Sequence, residues 1–90
     1  MGKAIVDPAE LRRFAQDLKR FNGDLAGLIS SLQAKLSSLE STWRDQEQKK
    51  FTEAFEQTMK VLANFLEASN VHANFLNKKA TLIEEYLKQR

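Results

Sequence analysis

Apolar residues recur every three or four positions along almost the whole of this chain, with one interruption near its middle. The first run reads Leu11, Phe14, Leu18, Phe21, Leu25, Leu28, Leu32, Leu36 and Leu39, in steps of 3, 4, 3, 4, 3, 4, 4 and 3. That is a heptad with one stutter near Leu32, and it predicts a long amphipathic helix able to pack antiparallel at a shallow angle. Asp7-Pro8 marks the start. Asp caps free amides, Pro is pre-set for the first helical position, and Glu10 stands where a capping box needs it. Ile5 or Val6 can staple onto Leu11 from outside the cap. Asn22-Gly23 is a turn signal inside the run. A break there would make a three-helix chain. A continuous helix is the preferred reading, because the apolar phase carries from Phe21 to Leu25. Gly23 and Gly27 each cost about 1 kcal/mol relative to Ala in a helix, which close approach of another helix would offset.

The second run holds two rows. One is Phe51, Phe55, Met59, Leu62, Leu66, Ser69, Ala73, Leu76, Ala80, Ile83 and Leu87. The other lies one residue out of step: Val61, Phe65, Ala68, His72, Phe75, Lys79, Leu82 and Tyr86. Together they make an apolar face wider than one helix partner needs. One row can pack on the first helix, and the other needs a partner. Ala68, Ala73 and Ala80 would let helices approach closely. Ser41-Thr42-Trp43-Arg44-Asp45 is the turn, with either Asp45 capping the second helix and Gln48 reciprocating, or Thr42 capping and Asp45 reciprocating. The expected fold is all-α. It is a single helix-turn-helix hairpin domain over residues 1–90, with helix 1 at about 8–40, the turn at about 41–45 and helix 2 at about 46–88. Its surplus apolar row points to packing against another helical pair.

Composition narrows the functions. With 14 basic and 12 acidic side chains spread evenly, nothing resembles the concentrated basic face of a nucleic-acid binder. There is no cysteine, so no disulfide or thiolate metal site. No apolar stretch approaches the roughly 20 residues of a membrane span, and the acids of the second run argue against a membrane-surface helix. No stable membrane insertion and no nucleic-acid partner are expected. Gly2 invites myristoylation, but Val6 stands where that motif wants Ser or Thr. The N-terminus lacks the apolar core of a secretory leader. The chain is expected to be made in the cytoplasm and, if exported, to leave without a cleaved signal peptide.

Nothing supports an enzyme or a cofactor. His72 is the only His and has no Glu at i±3 or i±4, so no metal site is expected. It reads as an interface residue whose charge would make dimerisation sensitive to mild acid. Glu84 and Glu85 point about 100° apart on a helix and share no acid–base site. The serines have no His–Asp arrangement near them, and there is no phosphate loop.

The turn and the layout around it resemble the WXG family, small helical hairpins of about a hundred residues related to the early secreted antigenic target of mycobacteria. The family pattern is a helix, a Trp-X-Gly turn near mid-chain and an aromatic eight residues after the Trp. Those positions here are Trp43, Asp45 and Phe51, in Thr-Trp-Arg-Asp-Gln-Glu-Gln-Lys-Lys-Phe, approached by Ser37-Ser38-Leu39-Glu40-Ser41. Asp45 replaces the motif glycine; glycine allows unusual backbone angles, and Asp tolerates them better than most residues. Members or their partners often carry a C-terminal Tyr, three residues, then Asp or Glu. Tyr86 fits, but Arg90 holds the acidic position, so any export signal here is degenerate; the alternatives are a signal supplied by a partner, a longer tail, or a divergent member working outside the usual pathway.

The resemblance implies a dimer, an antiparallel four-helix bundle formed with a second copy or, alternatively, with a related hairpin chain. It also implies a role as substrate or component of type VII secretion, with the secretion machinery as a further partner. In that reading Leu11, Phe14, Leu18, Leu25, Leu28, Leu32, Leu36 and Leu39 zip the hairpin. Leu62, Phe65, Leu66, Ala73, Leu76 and Ile83 supply the shared core, and Leu25, Leu28 and Leu32 belong to the same core and interface. Trp43, Asp45 and Phe51 shape an exposed end for docking. The competing readings are a structural coiled-coil adaptor, or a filament subunit of a secretion needle, with no export role of its own.

Overall fold

The computed structural model describes residues 6–89. Two helices account for nearly all of them: α1, Pro8–Glu40, and α2, Gln46–Lys88. They lie antiparallel as a slab of 68 × 19 × 15 Å, one helix thick. No strand occurs among the described residues.

Asp7 caps α1 by accepting from the Ala9 amide at 2.9 Å, with Pro8 opening the helix. The Glu10 carboxylate lies 3.9 Å from Arg13. Ile5 falls outside the described residues, and Val6 stays exposed. The helix runs unbroken through Asn22-Gly23.

The seam between the helices differs from the expected one on the α1 side. The covered positions there are Leu11, Ala15, Leu18, Asn22, Leu25, Ile29 and Leu36, with half-exposed Leu32 between the last two. That row alternates steps of four and three without a stutter. Phe14 and Leu28, expected to zip the hairpin, are 59% and 67% exposed. The α2 seam runs Gln48, Thr52, Phe55, Met59, Leu62, Leu66, Ser69, Ala73, Leu76, Ala80 and Ile83, all buried or half-buried. Phe51 and Leu87, at the ends of the expected row, are exposed.

Three alanines, Ala15, Ala73 and Ala80, are fully covered and let the backbones approach. Ala68 is exposed instead. At mid-seam a polar layer replaces the apolar one. Asn22 donates to Asn70 Oδ1 at 2.9 Å and accepts from Ser69 Oγ at 2.7 Å, with Asn22 and Ser69 each only 4% exposed. Every buried side-chain polar atom described has a partner. A satisfied polar layer fixes register, because sliding the helices would strand its donors and acceptors.

Gly23 and Gly27 lie on the back of α1, where an added Cβ would meet nothing within 4 Å. No approach within the chain explains them. Gly23→Ala and Gly27→Ala are each expected to stabilise by about 1 kcal/mol, read as a raised midpoint in thermal or urea unfolding. Loss of stability from either change would mean that another chain packs on this back surface.

Candidate interaction site

The seam divides the hairpin into two unlike faces. On one, Phe14, Phe21 and Leu28 recur every seven residues of α1 and stand uncovered. Facing the same way from α2 are Phe65 and Phe75, also exposed. Phe21 and Phe65 meet across the seam, edge to face, with ring centroids 6.3 Å apart. Such a contact suits two rings that share one side of the hairpin.

Beside this pair lies an open groove of about 400 Å³. Phe14 and Leu18 of α1 form one wall, and Phe65, Ala68, His72, Phe75 and Leu76 of α2 form the other. A smaller groove of about 170 Å³ lies toward the turn, lined by Leu32, Leu36, Leu39, Phe51, Phe55 and the stem of Lys35. The opposite face is different in kind: its hollow is edged by Gln33, Glu56, Lys60, Met59 and Ala63. The second α2 row thus lies uncovered, as its spacing requires. Phe65, Phe75, Leu82 and Tyr86 are all exposed.

The expected interface residues divide between seam and open face. Leu62, Leu66, Leu76, Ile83 and Leu25 are half-buried in the seam, and Ala73 is completely covered there, leaving nothing of it for a second chain. Phe65 and Leu28 stand on the open face, and the half-exposed Leu32 of the seam borders it. Spacing missed Phe14 and Phe21 as open-face residues and Asn22 as a seam residue. The α2 partners of Asn22, Ser69 and Asn70, were the available signal, since polar residues at matching depths of two antiparallel helices predict a polar layer.

At the closed end the turn carries an aromatic ladder. Trp43, half-buried, lies 5.8 Å from Phe51, and Phe51 stacks on Phe55 at 5.8 Å. Asp45 caps α2, accepting from the Gln48 amide at 2.9 Å. Its backbone is extended, φ −103° and ψ −174°, and no residue described, glycine or otherwise, has a left-handed φ. The expectation of unusual angles is therefore corrected: the position needs a good cap, and Asp and Gly both serve. Gln48 does not reciprocate to Asp45. It donates to Glu40 at 3.0 Å and Thr52 at 2.8 Å, tying the end of α1 to the start of α2. Asp45→Ala is expected to cost about 1 kcal/mol in an unfolding titration, and Asp45→Gly only a few tenths. Equal losses would show that the carboxylate acts other than as a cap.

At the open end Arg12 grips α2. Its guanidinium donates to both Glu84 oxygens, at 3.1 and 2.7 Å, and to Thr81 Oγ1 at 2.8 Å. The hydrogen bond from Arg12 holds the Glu84 carboxyl below its usual range. A lowered acid contributes stability above its unfolded value and loses it as pH falls through the folded one, so this clamp persists in mild acid. Glu85 is exposed. Tyr86 is exposed nearby, while Arg90 falls outside the described residues. No cluster of metal-ligating side chains and no helix apolar enough to cross a membrane occurs among the described residues.

No protein of curated function matches the chain. Solved structures do. A point variant of the secreted protein EsxB from Bacillus anthracis strain Sterne is 25% identical, with a TM-score of 0.82 over 93% of this chain and 97% of that one. The wild-type EsxB of the same strain is 26% identical, with a TM-score of 0.80 over 90% and 87%. The sequence pattern of the family described as proteins of 100 residues with WXG matches residues 4–86. With that match spanning both helices and the turn, and with solved hairpins following the same path, this chain belongs to the WXG100 family.

Proposed function

We propose that this chain is a non-enzymatic, secreted helical hairpin that works as an antiparallel dimer and serves type VII secretion as a substrate or component. The observation that carries the dimer is the uncovered apolar face. The chain exposes 7055 Å². A compact monomer of its 10.3 kDa would expose about 5,400 Å². The surplus, roughly 1,700 Å², is what one partner contributes to an extensive obligate interface. No large side chain described is fully buried within one hairpin, so a single layer of helices lacks the second layer that a stable core requires. A second copy supplies it. The secreted role is supported by the likeness to EsxB, and the aromatic turn offers the machinery a surface that a face-to-face dimer leaves free.

Light scattering across a wide dilution range tests the dimer; a mass of two chains is expected. A monomer would direct the search to a related hairpin as partner. Trp43→Ala is expected to keep that mass while reducing export from a producing cell that has the secretion system. If Trp43→Ala instead loses its helical signal, the ladder is part of the fold and the docking role fails.

A further inference from the structure

We propose that Asn22-Gly23 is a site of spontaneous covalent modification, shielded while α1 and α2 are packed and reactive once they separate, whose product cannot rebuild the seam. Asn22 is the one asparagine followed by glycine; Asn64, Asn70, Asn74 and Asn77 precede Phe, Val, Phe and Lys. The carboxamide carbon of an asparagine can be attacked by the backbone nitrogen of the next residue. The new carbon–nitrogen bond closes a five-membered imide, and ammonia leaves. Water then opens the ring at either carbonyl. The products are aspartate and its isomer, in which the chain runs through the side-chain carbonyl. Only water is consumed. A side chain on the following residue hinders the attack, and glycine has none. Packing within the chain does not require that glycine, since an added Cβ at Gly23 would meet nothing within 4 Å.

The folded hairpin holds the reacting groups apart. Asn22 lies inside α1 and is 4% exposed. Its carboxamide is turned onto α2: the nitrogen donates to Asn70 Oδ1 at 2.9 Å, and the oxygen accepts from the Ser69 hydroxyl at 2.7 Å. The Gly23 nitrogen belongs to the unbroken helix, where an N–H is directed to the carbonyl four residues back. Ring closure needs that amide freed, the Asn22 backbone turned out of helical angles and both side-chain bonds broken. Together these changes open the middle of the seam, so the rate follows the population of the open hairpin. The product does not suit the place it came from. Aspartate puts an acceptor-only carboxylate where Asn22 donated to Asn70, and a charge there is costly in a site nearly closed to water. The isomer adds a methylene to the backbone, which throws the two halves of α1 out of phase along the seam. A chain left open is thus marked, and the mark keeps it from closing again.

The test incubates the full chain in mildly alkaline buffer, with and without denaturing guanidinium chloride. Conversion of Asn22 is followed over days by the mass of the tryptic peptide from Phe21 to Lys35, in which it is the sole asparagine. The folded chain is expected to react at least about tenfold more slowly than the unfolded one. Gly23→Ala is expected to slow the reaction in guanidinium chloride, where no fold protects either chain. Reacted chain returned to folding conditions is expected to show a lower denaturation midpoint by circular dichroism than unreacted chain. Folded and unfolded rates within tenfold of each other, an unchanged unfolded rate in Gly23→Ala, or an unchanged midpoint in the reacted chain each overturns the proposal.

Discussion

Phe65→Asp is expected to abolish pairing yet keep most of the helical signal, whereas Leu66→Asp, one residue along, is expected to melt the hairpin itself. The two positions look alike in sequence, adjacent and apolar. The structure separates them: Phe65 is 46% exposed on the open face, and Leu66 is half-buried in the seam. A carboxylate at 65 remains solvated in the single chain and becomes unpaired only when a second copy covers it. The dimer constant should weaken by at least about a hundredfold, the equivalent of about 3 kcal/mol. A carboxylate at 66 is desolvated by α1 in every chain, and about 3 kcal/mol or more of hairpin stability should go with it. Light scattering and circular dichroism on both variants decide the matter. Identical behaviour of the two would mean that seam and interface are not separate surfaces.

Asn22→Leu carries the second large expectation, and its sign runs against intuition. Leu is a better helix former and extends the apolar row, so propensity favours it. The expected outcome is nevertheless a loss of about 1–3 kcal/mol. The Ser69 hydroxyl, 4% exposed, donates to Asn22 at 2.7 Å, and Asn70 accepts from Asn22 at 2.9 Å. Leu would remove both partners and leave the hydroxyl unsatisfied inside the seam. Adding Ser69→Ala to Asn22→Leu should recover much of the loss, since replacing both partners by apolar groups can be nearly neutral. A double-mutant cycle by urea unfolding reads the coupling. Additive effects would mean that the three polar groups do not act as one layer.

The two helices, the turn between them and the surplus apolar row of α2 were legible in spacing, because α2 keeps one uninterrupted seven-residue rhythm from Phe55 to Ile83; nearer the turn the seam passes to the polar Thr52 and Gln48, where spacing selected Phe51. The seam of α1 was not legible. Its inward positions include Ala15, Asn22 and Ile29, while the neighbouring outward positions carry Phe14, Phe21 and Leu28. Reading by hydrophobicity selects the larger side chains, and here these stand uncovered beside the seam instead of facing the partner helix. The apparent stutter near Leu32 came from crossing between the two rows. A one-layer hairpin defeats the rule that the most apolar residues mark the nearest contact, because many of its largest apolar groups stand outside the seam. Likewise Asn22-Gly23 reads locally as a turn, and only the partners on α2 explain why Asn22 sits in a helix.

The extended backbone at Asp45 has a consequence for how this turn is recognised in other chains. If the third position of the tripeptide is occupied for its ability to begin a helix, then the requirement is a chemical preference shared by several residues and not an identity. Asn and Ser satisfy it as well as Asp, and Thr about as well as Gly. A search that demands glycine there selects one spelling of the signal, and hairpins that keep the Trp and the aromatic eight residues later would pass unnoticed for want of a residue that the geometry does not require.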